Sequence, residues 1–327
     1  MLFPRNSWYV AAVFVTLFSG CADGSDACYP GGGGVVAGWT EQAGHVETEA
    51  EAARKEVEIL ISRRINDFLG AVWFPAGISC LGFLVLVAVL MKKRWGRALA
   101  LPVGPVPPLA GVLLFLVGYL SFLCLSVFFL VAFKQVSSDL SVPLTSIFAQ
   151  MASVGLCIWL WCGRLSRPLE ALGFHPRLAF RSGGFAVMVY LASLPAFFGL
   201  MDLSARIFTR ELQTQVVEIA LHDDPVIRGL YFLAVAIMAP FLEEVLFRGV
   251  LLTGLRRSLG GGGAVLVSSL VFMLVHPPVT YLPIFWLGLV LGFSFHYTGS
   301  IIAPLVIHFL HNGFTFCLIL WAVSGQG

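Results

Sequence analysis

The sequence predicts an all-α fold, a polytopic bundle of about eight transmembrane helices preceded by an N-terminal signal-like segment. Of the 327 residues, 58% are hydrophobic and 12% are charged, whereas a typical soluble domain has about 25% charged residues. Several apolar runs reach the roughly 20 residues that a helix needs to cross the hydrocarbon core of a bilayer. The sequence has no basic cluster interleaved with aromatic residues, so we expect no nucleic-acid partner.

The N-terminal segment, residues 1–21, has the features of a secretory signal, because Arg5 precedes an apolar stretch that is too short to span comfortably. Its end, FSGC, resembles a bacterial lipoprotein cleavage box, in which Cys21 would become the lipidated N-terminus. An ordinary signal or an uncleaved anchor is the alternative. Residues 22–67 combine a glycine run with a stretch rich in Ala, Glu and Arg, which predicts an extracytoplasmic linker and a polar helix.

Eight apolar runs follow this segment and predict the transmembrane spans. The spans are expected at residues 68–91, 109–133, 142–163, 184–201, 229–253, 263–276, 281–297 and 300–321. Loops rich in Lys and Arg lie at residues 92–97, 164–181 and 256–257, and all three fall on one side of an eight-span topology. The positive-inside rule makes that side cytoplasmic. We therefore expect a multi-pass protein of the cell membrane whose N-terminal segment is extracytoplasmic.

The fifth predicted span contains the most unusual stretch of the chain, MAPFLEEVLFRGVL at residues 238–251. Ionisable side chains at bilayer depth are costly unless they are paired or face a wet cavity, so they mark functional sites by default. Glu244 and Arg248 are four residues apart and share a helix face, which is the spacing of an ion pair. Glu243 lies about 100° around the helix and should be aimed at something else.

Three further polar side chains occur in later spans. His276 ends the sixth span, and His308 and Asn312 share a helix face in the eighth. Counting about 1.5 Å per residue from the cytoplasmic ends places Glu243 roughly 15 Å deep, His276 roughly 20 Å and His308 roughly 12 Å. These depths overlap within the uncertainty of the span boundaries. One polar centre with contributions from three helices is therefore geometrically possible.

The residue types in this centre suit amide hydrolysis by water. A carboxylate and an imidazole that face one water molecule can remove its proton. A second imidazole and a carboxamide on one helix face can donate hydrogen bonds to the oxyanion that forms when the water attacks a carbonyl. The sequence contains no Ser or Cys in a GxSxG or comparable nucleophile setting, so acyl-enzyme chemistry has no support.

Three motifs carry a resemblance to a known family. EEVLFRG at residues 243–249, FMLVH at 272–276 and HFLHN at 308–312 resemble the motifs EExxxR, FxxxH and HxxxN of the CPBP family. That family includes the type II CAAX prenyl endopeptidases and bacterial bacteriocin-processing and immunity proteins. The resemblance covers roughly residues 140–321, which leaves 68–139 as accessory spans and 322–327 as a tail.

The resemblance implies an intramembrane glutamic endopeptidase without a metal cofactor. Glu243 and His276 would activate water, while His308 and Asn312 would form the oxyanion hole. The side chains implied to support the site are Glu244, Arg248 and Phe272. His311, three residues from His308, could replace it as a donor, but the motif favours His308. The signal-like start suggests a bacterial chain that cuts a peptide precursor or a membrane protein.

Two other functions are compatible with the same residues. A zinc-dependent protease would use Glu243, His276 and His308 as ligands, although HExxH is absent and no CxxC pair or Cys/His ligand spacing occurs. A non-catalytic scaffold or immunity protein would bind a peptide in the same cavity. A transporter is disfavoured because no inverted repeat of the motifs is visible.

Overall fold

The structure is a computed structural model that describes residues 63–64, 107–162, 168–208, 222 and 224–324. Over these residues the chain is helical and contains no strand, in agreement with the predicted all-α class. The signal segment with Cys21, the span predicted at 68–91 and the basic loop at 92–97 lie outside the described residues. Predictions for those parts of the chain stay predictions.

From residue 107 onwards, the described residues contain nine α-helices. They are, in chain order, α1 Pro108–Ala132, α2 Ser138–Cys162, α3 Pro168–Ala171, α4 Ala179–Ile207, α5 Pro225–Phe232, α6 Ala239–Glu244, α7 Thr253–Leu274, α8 Tyr281–Thr298 and α9 Ile302–Ser324. Two π-helical segments, π1 Leu233–Met238 and π2 Val245–Leu252, join α5 to α6 and α6 to α7. Short 3-10 turns at Pro176–Leu178 and Pro278–Thr280 precede α4 and α8.

Six helical segments among the described residues are long and apolar enough to cross a membrane. One of them, Pro225–Leu274, has 50 residues, which at about 1.5 Å per residue far exceeds the ~30 Å hydrocarbon core. It reverses direction at Gly260, whose φ of 67° and ψ of 178° are not helical. The rings of Phe247 and Phe272 consequently meet at 5.0 Å. The fifth and sixth predicted spans are thus two limbs that fold back on each other.

The ends of two predicted spans differ from the observed helices. α7 ends at Leu274, so His276 lies in the turn beyond the helix and not at its last residue, because Pro277 and Pro278 already prevent the helix from continuing. α4 has 29 residues and extends past both ends of the span predicted at 184–201. Polar residues at its two ends continue the helix where the apolar run stops.

The core of the bundle is built around π2, and all eight of its residues are buried. Helix α1 packs directly against it, with Phe115 meeting the edge of Phe247 at 5.0 Å. A Cβ atom on Gly111 would lie 2.8 Å from the Cα atom of Gly254. Small residues of this kind let two transmembrane helices approach to backbone contact. Helix α1, which belongs to the predicted accessory spans, is therefore packed tightly on the core.

This contact gives a stability prediction. Gly111→Val should lower the stability of the protein in detergent by about 1–3 kcal/mol, because the new side chain overpacks a backbone contact. The matched control is Gly155→Val on α2, where no described atom lies within 4 Å of an added Cβ. Thermal unfolding of both variants checks the prediction. Equal melting temperatures for the two variants would contradict the observed α1 packing.

Candidate active site

The buried centre of the site is the ion pair between Glu244, the last residue of α6, and Arg248 in π2. Both side chains have 0% exposure, and Arg248 Nη1 donates to Glu244 Oε1 at 2.9 Å. Arg248 Nη2 also donates to the Gly288 carbonyl of α8 at 3.3 Å. The pair predicted from the four-residue spacing is therefore present. Each charge depends on the other, because an unpaired charge at this depth would be strongly destabilising.

His308 of α9 connects this pair to the second acid. Its Nδ1 lies 2.7 Å from Glu244 Oε1, and its Nε2 lies 3.6 Å from Glu243 Oε2. A carboxylate paired with a guanidinium can only accept, so His308 Nδ1 donates this hydrogen bond. The sequence indicated that Glu243 faces a different group from Arg248. In the structure that group includes His308.

His311, the alternative donor in the same motif, lies apart from the two carboxylates. Its ring is buried and meets Phe197 of α4 at 4.3 Å and Tyr190 at 6.2 Å, both edge-on. These contacts pack α9 against α4. The geometry therefore agrees with the motif in placing His308, and not His311, beside the acids.

Phe272 of α7 lies at the centre of the rings and charges. Its side chain is fully buried, and the Arg248 guanidinium carbon lies 4.7 Å from its ring centroid. A desolvated cation–π contact of this kind stabilises by about 2 kcal/mol. The same ring meets His308 edge-on at 5.8 Å and His276 at 4.7 Å. Phe272 thus fixes the positions of three polar side chains from three parts of the chain.

His276 is oriented by its own backbone. Its Nδ1 lies 2.6 Å from the Phe272 carbonyl oxygen, and since a carbonyl only accepts, Nδ1 carries the hydrogen. In the neutral ring, Nε2 then has a free lone pair and can accept a proton. The ring of Phe272 contacts both His276 and His308, and it is through this ring that His276 is connected to the centre.

Asn312 lies one turn beyond His308 on α9. Its Nδ2 donates to the Val235 carbonyl of π1 at 2.9 Å. The carboxamide has two N–H donors, so this bond uses one and leaves the second for another acceptor. Asn312 is therefore hydrogen-bonded to π1, the segment that precedes Glu243 and Glu244.

Sequence reasoning missed one residue near the site. Tyr119 of α1 lies within electrostatic range of Glu243, although it is outside the predicted core at 140–321. Its ring stacks on Phe115 at 6.1 Å, and Phe115 packs on π2. No motif distinguishes Tyr119 from the other aromatic residues of that span, so only the packing of α1 against π2 shows its position.

The zinc alternative required Glu243, His276 and His308 to converge as ligands. In the part of the chain that the structure describes, no three His, Cys, Asp or Glu side chains form a group that could hold a metal ion. His308 instead directs one nitrogen to Glu244, which is itself paired with Arg248. With Nδ1 held by Glu244, His308 could offer a metal only its Nε2, and the absence of a metal cofactor stays a prediction.

Comparisons with known proteins identify the segment that carries this site. Residues 226–314 match the family described as type II CAAX prenyl endopeptidase Rce1-like. The chain is also similar to the membrane-embedded CAAX protease MroQ of Staphylococcus aureus (strain USA300), with 32% identity over 92 residues, 26% of this chain and 37% of the relative. The chain thus covers little more than a third of that relative. No solved structure matches the chain.

The buried ion pair yields a second stability prediction. Arg248→Met should destabilise the protein by about 3–5 kcal/mol, because it leaves the Glu244 charge buried without its partner. Adding Glu244→Gln should recover part of that loss. Unfolding in detergent measures both, with Arg257→Met at an exposed position as the control. If Arg248→Met destabilised the protein no more than Arg257→Met, the pair would not hold the site.

Proposed function

We propose that this chain, whose residues 226–314 belong to the Rce1-like type II CAAX prenyl endopeptidase family, is an intramembrane endopeptidase. The reaction would be hydrolysis of a peptide bond by a water molecule that Glu243 and His276 activate. His308 and Asn312 would stabilise the oxyanion. The observation that supports this best is the contact of His308 with both carboxylates, at 2.7 Å and 3.6 Å.

Charge balance in the buried centre supports the division of roles. Glu244 and Arg248 neutralise each other, which leaves Glu243 and His308 to share one proton in a neutral site. A neutral centre is favoured because a net buried charge is costly in a medium of low dielectric. When the proton lies on His308, Glu243 is an ionised base and His308 Nε2 is a donor. A single proton on His308 therefore leaves Glu243 ionised as the base and provides an N–H donor for the oxyanion.

The proposed reaction conserves atoms and charge. Glu243 accepts a proton from the water while the water oxygen bonds to the carbonyl carbon and the carbonyl electron pair moves onto its oxygen. His308 Nε2 and the second N–H of Asn312 donate to that oxyanion, a type of stabilisation worth about 3 kcal/mol per donor. The oxyanion then collapses, the C–N bond breaks, and the proton on Glu243 passes to the departing amine. His276 Nε2, an acceptor, holds the water in place.

The substrate would be a peptide or a membrane protein that reaches the site within the bilayer. Glu243 retains 28% side-chain exposure, whereas Glu244 has none. An acid that must meet water and substrate needs such access, and an acid that only positions others does not. The basic loops would face the cytoplasm. Cleavage would then occur in the cytoplasmic half of the membrane.

Replacing the proposed base tests the function directly. Glu243→Gln keeps the shape of the side chain and removes its basicity, so peptide cleavage should fall by at least about 100-fold while the protein still folds. Proteomics of membrane peptides, comparing cells that carry the native chain with cells that carry the variant, reads the outcome. A substrate should accumulate only with Glu243→Gln, and not with the exposed control Glu170→Gln.

The opposite result would support the binding alternative. A scaffold or immunity protein would keep its cellular effect in the Glu243→Gln variant, and no peptide would accumulate. That outcome would reject the endopeptidase proposal while leaving the fold and the family unchanged.

Metal dependence is a separate prediction. Activity of the purified protein should survive prolonged treatment with EDTA or 1,10-phenanthroline, because the proposed chemistry uses only side chains and water. Cleavage of the accumulated substrate, before and after chelation, measures this. Loss of activity that is restored by added zinc would show that the proposed mechanism is wrong.

A further inference from the structure

The helix that leads into the acidic pair changes its hydrogen-bond pattern just before the pair. Along π1 the backbone hydrogen bonds join residues that are five apart in sequence, whereas an α-helix joins residues four apart. At the end of π1 the Ala239 N–H donates to the Ala234 carbonyl. Continuing this pattern by one residue would assign the Val235 carbonyl to the N–H of residue 240. Residue 240 is proline and has no N–H. The Val235 carbonyl therefore lacks the donor that the π pattern would supply.

The missing donor comes from another helix. Asn312 Nδ2 of α9 donates to the Val235 carbonyl at 2.9 Å. In a membrane protein an unsatisfied backbone carbonyl is costly unless a side chain or water replaces the missing donor, and here the Asn312 side chain replaces it. Helix α9 crosses π1 at this level, since Phe316, one turn beyond Asn312, meets Phe232 at 5.4 Å.

The same helix carries His308, one turn away from Asn312 in the other direction. His308 meets Glu244 and Glu243, at the end of α6. The Asn312 bond and the His308 contacts thus hold α9 against the acid-bearing helix at two neighbouring levels. Pro240 lies between those levels, within α6, and is buried.

We propose that Pro240 is a positioning residue of the active site. By leaving the Val235 carbonyl without a donor of its own helix, it holds one N–H of the Asn312 carboxamide and directs the other towards the oxyanion position. This inference rests on the proposed function, in which Asn312 is an oxyanion donor. It adds a residue that does not touch the substrate and acts through Val235 and Asn312.

The first test measures the coupling without any substrate. Asn312→Ala should lower the melting temperature of the native chain by about 5 °C, because it leaves the Val235 carbonyl unpaired. In a Pro240→Ala background the introduced alanine supplies a backbone N–H that can satisfy that carbonyl, so the same change should lower the melting temperature by less than half as much. Asn312→Asp, which keeps the shape and loses the donor, serves where the alanine variant does not fold. Equal losses in both backgrounds would overturn the proposal.

The second test separates positioning from folding. Pro240→Ala should leave the melting temperature unchanged or higher, yet lower kcat about tenfold with KM unchanged, measured on the peptide that accumulates with Glu243→Gln. Pro195→Ala, at a proline inside α4, is the control and should leave kcat unchanged. A Pro240→Ala variant with native kcat would overturn the positioning role. A native chain without peptidase activity would instead reject the proposed function, while the melting-temperature comparison would still test the coupling.

Discussion

The contact of one carboxylate oxygen with two donors organises this protein. Glu244 Oε1 accepts from Arg248 at 2.9 Å and from His308 at 2.7 Å, and all three side chains are buried. Because none of them can be left alone at this depth, the contact fixes the relative positions of α6, π2 and α9. Phe272 packs against Arg248 and His308 and so positions α7 against the same centre. The more exposed Glu243 is then free to act on other groups.

Much of this arrangement could be predicted from the sequence. Apolar runs indicated the described helices, and the four-residue spacing indicated the Glu244–Arg248 pair. The spacing of the HxxxN motif also favoured His308 over His311. These features depend on composition and on helix periodicity, which are local properties of the chain. For the same reason they could be recognised before any contact between helices was known.

Other features depend on packing and could not be predicted. The π segments arise from a change in backbone register that side-chain periodicity does not reveal, although Pro240 marks its end. Tyr119 is on α1, which meets α7 in backbone contact between Gly111 and Gly254, and these two helices are far apart in sequence. The partner of Asn312 is a backbone carbonyl, and every residue has one. Only the fold shows which carbonyl needs a donor.

The ring of His308 gives the most direct measurement of the central contact. Nitrogen-15 NMR of the histidine-labelled protein in lipid, with the His308 signal assigned from its loss in His308→Gln, reports which ring nitrogen carries hydrogen. Our account predicts a protonated, strongly hydrogen-bonded Nδ1 that changes when Glu244 is replaced by Gln. An unprotonated Nδ1, unaffected by Glu244→Gln, would show that His308 does not join the two acids and would contradict the site described here.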